Sequence, residues 1–330
     1  MKEDFNHHFN RRCKNHDYRS RCIYMITILK ATDIPVFSSI TQDPEYTKAS
    51  PIVTLTPLGE IIYECLKLLS REIPQLKIFQ KMAMPDHLHF ELFVMERTEP
   101  VLGSIIGRFK SMCSQRYWQR FPDTEIAHEK RPIFTQGFND KIAFRAGAKD
   151  TFYNYIADNP RRYLVKKLYS HYFYHKMMIE IAGISCGVYG NIFLLDNPVK
   201  SFVKISRDKS KMPDLAERLQ EWEETIRCGG VLVSPFINPA EKEIRDKGIE
   251  NGNGLIIVVD YRFSERTKPY KSLFDLCAEG RMLIISTEEE AALPKEMRYS
   301  RAQKLNGIAR ELAALPPRGA RFHPRRPRSS

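Results

Sequence analysis

Apolar residues along this chain recur at two spacings, and the alternation between them outlines the fold. The stretch Cys22–Leu29 is short, continuous and rich in Ile and Tyr, which predicts a strand. Ile61, Ile62, Cys65, Leu66 and Leu69 then repeat at helical intervals, predicting an amphipathic helix over 57–72. Two further strands are expected at 77–83 and 87–95, separated by the turn pair Pro85-Asp86. A second amphipathic helix is expected over 101–118, with Arg108, Lys110, Arg116 and Arg120 on or near its polar side. A fourth strand falls within 133–144, around Gly137 and Asp140, and a third helix runs from Lys149 with a break near Pro160. Strand, helix, strand, strand, helix, strand, helix is the outline of a ferredoxin-like split βαβ sheet.

Beyond about His175 the pattern changes. Short strand-like pieces at 191–196 and 203–206 precede a helical stretch at 213–227, a strand at 231–235, a helix at 240–251 and a strand at 255–260. Strand, helix, strand at this spacing is a βαβ unit, and the apolar run at 281–286 adds another buried strand. The expected class is therefore α+β: a ferredoxin-like domain followed by a smaller α/β Rossmann-like domain. The divisions are a basic arm at 1–21, the first domain at 22–175, the second at 176–315 and a disordered basic tail at 316–330.

Composition adds a partner. The net charge of +12 over 330 residues points to nucleic acid or an anionic membrane surface. No apolar run is long enough for a spanning helix and no apolar signal core follows Met1, so nucleic acid is preferred and a cytoplasmic, nucleoid-associated location is expected. Seven cysteines without a CxxC pair fit reduced thiols better than a disulfide framework. His7, His8, Cys13, His16 and Cys22 match no standard zinc spacing and read as part of a solvated basic arm.

Two segments carry candidate chemistry. His87 and His89, two apart on a strand, project to one face, where two neutral imidazoles can hold one divalent cation. On its own such a pair is more often a pair of ordinary surface histidines. Tyr155 and Asn159 lie four apart on the third helix and share a face. A phenol titrates near 10 and needs a cation or base beside it to become a nucleophile. By itself this segment also fits a buried aromatic followed by a helix-ending Asn-Pro.

Taken together and in order, these segments resemble the single-tyrosine transposases of the HUH superfamily, in the branch that includes the REP-associated transposases. The resemblance spans roughly residues 9 to 170. It is carried by Arg12-Cys13-Lys14-Asn15-His16-Asp17-Tyr18, Met84-Pro85-Asp86-His87-Leu88-His89, Phe109-Lys110-Ser111, Phe134-Thr135-Gln136-Gly137-Phe138-Asn139-Asp140 and Tyr155-Ile156-x-x-Asn159-Pro160. It implies that His87, His89 and Asn159 bind Mg²⁺ or Mn²⁺, and that Tyr155 attacks a phosphate to form a 5′-phosphotyrosine. It also implies a single-stranded or hairpin DNA substrate, and the need for two active sites per transposition event makes a homodimer reasonable. Asp86 stands where the family often has Asn, adding a negative charge beside the metal. Tyr153 is the rival nucleophile, but it faces elsewhere on the helix.

Arg108, Lys110, Arg116, Arg161, Arg162, Lys166 and Lys167 are the candidate backbone-binding residues, with Tyr117, Trp118 and Phe121 as candidate stacking residues. In the second domain, 231–241 resembles the strand-to-helix turn of Rossmann-like domains of the DNA-processing-protein type. Gly252-x-Gly254 lacks the third glycine of a dinucleotide fingerprint. Two other readings stand beside the enzyme: a non-catalytic hairpin-binding regulator, and a nucleotide-acting second domain tethered to DNA.

Overall fold

The computed structural model describes residues 12–43, 50–206, 210, 212–265, 267, 269, 271–287 and 298–317. The chain divides into two compact units between Val165 and Lys166, upstream of the boundary at 175 that composition suggested. His7, His8 and nearly all of the basic tail lie outside the described residues.

The first unit is built on a four-stranded sheet of β1 (Cys22–Leu29), β4 (Leu76–Ala83), β5 (His87–Val94) and β6 (Asn139–Ile142), in the order β4-β5-β1-β6 with every neighbouring pair antiparallel. This is the split βαβ arrangement. One sheet face packs against α1 (Pro57–Glu72) and α2 (Leu102–Arg120). There Tyr24, Ile26, Leu88 and Phe90 meet Ile62, Leu66, Ile106 and Phe109. The other face carries α4 (Ala148–Leu168), whose Phe152 and Ile156 bury Met25. Alternation along the strands puts Thr27, His87, His89 and Glu91 on the same face as Met25, because Met25 pairs with Glu91 and Thr27 with His89.

Several elements differ from the sequence-based expectation. A hairpin of β2 (Ser38–Gln42) and β3 (Pro51–Leu55) occupies a stretch where none was predicted. Its strands are five residues each, with only Ser38 and Ile40 of β2 buried and β3 half-buried at alternate positions, so the apolar signal is thin. The fourth strand is confined to β6, between Gly137 in the left-handed region and the turn after Ala143. The third helix is not broken at Pro160: α4 continues to Leu168. Proline has no N–H to give the preceding turn. The carbonyl that loses its helical donor is that of Ile156; the Asn159 side-chain amide donates to the Tyr155 carbonyl, one residue earlier, at 2.9 Å.

The second unit holds a six-stranded sheet, ordered β7-β8-β12-β11-β10-β9. Strands β9 (Lys200–Phe202), β10 (Val231–Ser234), β11 (Gly254–Val259) and β12 (Met282–Thr287) run parallel, linked through α5 (Leu215–Arg227), α6 (Pro239–Glu250) and α7 (Lys271–Ala278). The hairpin β7 (Tyr174–Ile181) and β8 (Ile184–Gly190) adds an antiparallel edge. Trp222, Ile244 and Leu276 cover one face of the sheet. Leu305, Ala309 and Leu312 of α8 (Arg298–Ala314) cover the other. Burial on both sides explains the unbroken apolar runs of β10 and β12.

The expected strand at 191–196 is instead a 3-10 turn over Ile192–Asp196, begun by the Asn191 side chain accepting from the Phe193 amide at 3.1 Å. The strand expected at 203–206 lies slightly earlier, at β9. Helices α7 and α8 and the β7–β8 hairpin were not anticipated. Gly254 has a packing role: a Cβ there would lie 2.8 Å from the Leu194 side chain.

Two stability predictions arise from this packing. Thr56 caps α1 by accepting from the Gly59 amide at 3.2 Å, and a Cβ on Gly59 would sit 2.0 Å from the Phe37 carbonyl oxygen. Gly59→Ala should therefore destabilise the protein by about 3 kcal/mol in urea denaturation. Glu91 is 0% exposed and, among the described residues, neither of its oxygens has a hydrogen-bond partner. Burial pushes its carboxyl up, Lys149 opposes the shift and Asp150 adds to it. A raised folded-state value means that the folded protein holds the proton more tightly, so stability falls as pH rises from the ordinary value of about 4.3 to the raised one. Glu91→Met should be more stable than wild type by about 1–3 kcal/mol at neutral pH. In urea titrations run from acid to neutral pH, that margin should widen across the window and then level off.

Candidate functional site

Strand β5 opens directly after the turn residue Asp86, and its first and third residues are the two histidines. Their rings lie 4.6 Å apart, centroid to centroid, at 81°. Each imidazole is held at Nδ1. That of His87 is 2.6 Å from the Asp86 carboxylate, and that of His89 is 2.8 Å from the Thr27 hydroxyl on the neighbouring strand. Anchoring Nδ1 fixes the ring and turns Nε2 outward, the arrangement that orients a metal-binding histidine. The Asp86 carboxyl is held below the ordinary carboxylate range, first by its hydrogen bond to His87 and, more weakly, by charge interaction with it, against an opposing effect of burial. Asp86 therefore works as an anchor for His87.

Tyr155 comes to this pair on α4. Its ring lies 5.6 Å from that of His89 at 76°, although the two residues are far apart in sequence. The docking of Phe152 and Ile156 against Met25 sets that approach. Asn159 follows one turn later on the buried side of α4; since its N–H bonds the Tyr155 carbonyl, the amide oxygen is the atom that can serve a cation. Tyr153 is exposed, and no ring contact joins it to the histidines. Sequence reasoning passed over two neighbours. Lys141 on β6 places its ammonium 5.7 Å from the centre of the Tyr155 ring, and Thr27 holds His89. Period-two alternation together with the pairing of β1 to β5 and β6 was the signal that would have found both.

Two imidazoles and an amide oxygen are a donor set that fits a divalent cation of intermediate hardness, Mn²⁺ more readily than Mg²⁺. Among the described residues, no group of three or more His, Cys, Asp and Glu side chains is arranged to hold a metal ion.

The candidate DNA-binding residues are dispersed. Lys110 gives its ammonium to the Thr135 and Gly137 carbonyls, where it ties α2 to the segment before β6. Arg108 pairs with Glu72 at 2.9 Å, and Arg161 and Arg162 both reach Asp158. Lys166 lies 5.9 Å from the rings of Phe173 and Phe274. Arg116 and Lys167 are exposed. Tyr117 is buried against Phe121, and Trp118 donates to the Arg131 carbonyl, so these rings serve packing. In the segment expected to be a solvated arm, His16 bonds the Tyr24 hydroxyl at 2.7 Å and packs edge-on against Tyr18. No helix among the described residues is long and apolar enough to cross a membrane.

Comparison with known proteins gives distant likenesses. No family model matches the chain. An uncharacterised protein of Haemophilus influenzae is 24% identical over 178 residues, a match covering 48% of this chain and 91% of that protein. Among solved structures, the REP-associated tyrosine transposase bound to a REP hairpin overlaps 45% of this chain and 72% of its own, at 14% identity and a TM-score of 0.32. A candidate transposase from Deinococcus radiodurans R1 overlaps 44% of this chain and 97% of its own, at 13% identity and a TM-score of 0.29.

Proposed function

We propose that the first unit cleaves and rejoins single-stranded DNA, with Tyr155 as nucleophile. The observation that carries this reading is the meeting of Tyr155 with His89 beside His87, each imidazole anchored at Nδ1. The ordered motifs that resemble single-tyrosine transposases support it, and a net charge of +12 suits a polyanionic substrate.

In this reading the Tyr155 oxygen attacks phosphorus in line. A phosphorus–oxygen bond to tyrosine forms and the bond to the 3′ oxygen breaks; the phenol gives up its proton and the departing 3′ oxygen gains one. His87, His89 and the Asn159 oxygen would hold a divalent cation, with water and the phosphate as its other ligands. When bound, that cation offsets charge on the non-bridging oxygens. Lys141 sets a positive charge over the Tyr155 ring, where it meets the anion left by the departing proton. The reverse attack by a 3′-hydroxyl on the phosphotyrosine rejoins a strand with no external energy source.

The test is incubation of the full chain with labelled single-stranded DNA carrying hairpins, with and without Mn²⁺, followed by denaturing electrophoresis. A protein–DNA adduct should form with the metal, vanish in Tyr155→Phe, and form about 100–1,000-fold more slowly in His87→Ala and His89→Ala. Asp86→Ala should raise the Mn²⁺ concentration needed by about 10–100-fold. Hairpin binding with no adduct on any such substrate would overturn the nucleophile assignment and favour a DNA-binding regulator.

A further inference from the structure

A second recess in the first unit is used by none of the chemistry above. It has a volume of about 530 Å³ and lies between the segment before β1, the N-terminal half of α2 and the residues leading into β6. We propose that it is a subsite for one unstacked nucleobase of a bound single strand. The inference deepens the DNA-cleavage reading, but it rests on a different set of residues.

Its walls are aromatic and cationic. The Arg12 guanidinium lies over the Phe138 ring at 4.1 Å and near the Tyr18 ring at 5.4 Å. Tyr18 in turn stacks on Tyr24 at 5.9 Å and 18° and donates to the Asp140 carboxylate at 3.1 Å. The wall is therefore held in place without a ligand. An arginine lying on an aromatic ring offers its outer face to a base, a surface that accepts any base because each has a π-face.

The floor is made of glycine. Gly103 and Gly107 are one turn apart on α2, and both line the recess. Glycine inside a helix costs about 1 kcal/mol relative to alanine, so it usually answers a packing need. Among the described residues there is none. A Cβ on Gly107 would meet nothing within 4 Å, and one on Gly103 would meet only the Arg12 guanidinium, at 3.9 Å. The missing side chains leave space that none of the described residues fills.

The position suits a strand that also reaches Tyr155. Phe138 immediately precedes Asn139, which pairs with Thr27, the residue that holds His89. The recess thus opens at the β6 edge on the α1–α2 side of the sheet, whereas the imidazole pair lies on the α4 side. A single strand rounding that edge seats one base in the recess while a phosphate more than one nucleotide along it faces the tyrosine.

The test reads binding in EDTA, where cleavage plays no part. Fluorescein-labelled oligothymidine and oligocytidine are compared by anisotropy with an abasic phosphate chain of equal length. Wild type should bind the base-bearing strands about tenfold or more tighter than the abasic chain, and Gly107→Leu should cut that ratio at least about fivefold. Affinity for the abasic chain, and its salt dependence, should stay unchanged. Gly107→Ala, a helix-favouring change into open space, should lower the ratio in the same direction with a melting temperature no lower than wild type. A wild type indifferent to bases, or a ratio unmoved in Gly107→Leu and Gly107→Ala, would overturn the proposal. A protein that shows the base dependence but forms no adduct keeps this subsite and loses the nucleophile assignment, so the two failures are distinguishable.

Discussion

The burial of Met25 beneath Phe152 and Ile156 is the contact on which the approach of Tyr155 to the imidazole pair depends. It joins α4, the last helix of that unit, to the central strand, and it fixes where on the sheet that helix lies. With Met25 paired to Glu91 and Thr27 to His89, the same docking sets Tyr155 over the imidazoles. The apolar contact is small, and a fully buried Glu91, whose oxygens have no hydrogen-bond partner among the described residues, weakens the same layer. The helix that carries the proposed nucleophile is therefore held by a few apolar side chains over a costly carboxylate.

Much of the first unit was legible because its signals were strong and local. The long faces of α1 and α2, and the apolar run of β1, announce their own periods. The β2–β3 hairpin was not legible, since five-residue strands that bury or half-bury every other position resemble loop composition. Pro160 misled in the other direction, because the helix continues past it to Leu168. In the second unit, Asn191 turned an apolar stretch into a 3-10 turn by capping it, a choice made by one side-chain hydrogen bond that no periodicity encodes.

The candidate site divides in a similar way. The histidine pair and the Tyr-x-x-x-Asn spacing are visible as letters in the chain, since strand and helix periods dictate which side chains travel together. Their mutual approach depends on the docking of α4, which is a tertiary fact. The partners of the histidines needed the strand pairing as well: Thr27 reaches His89 only through the register of β1 with β5, and Asp86 acts through its own turn geometry. Basic residues were the least informative. Lys110 is consumed by two backbone carbonyls and Arg161 pairs with Asp158, whereas Arg116 and Lys167 are exposed, so the letters alone did not say which cations face solvent.

The different anchors of the two imidazoles make them unequal electron donors. A carboxylate behind His87 draws its Nδ1 proton away and makes Nε2 richer in electron density, whereas the neutral hydroxyl behind His89 does so far less. Any electrophile that met the pair would therefore be drawn more strongly to His87 Nε2 than to His89 Nε2, so the two rings that look alike in the sequence are chemically unlike in the fold.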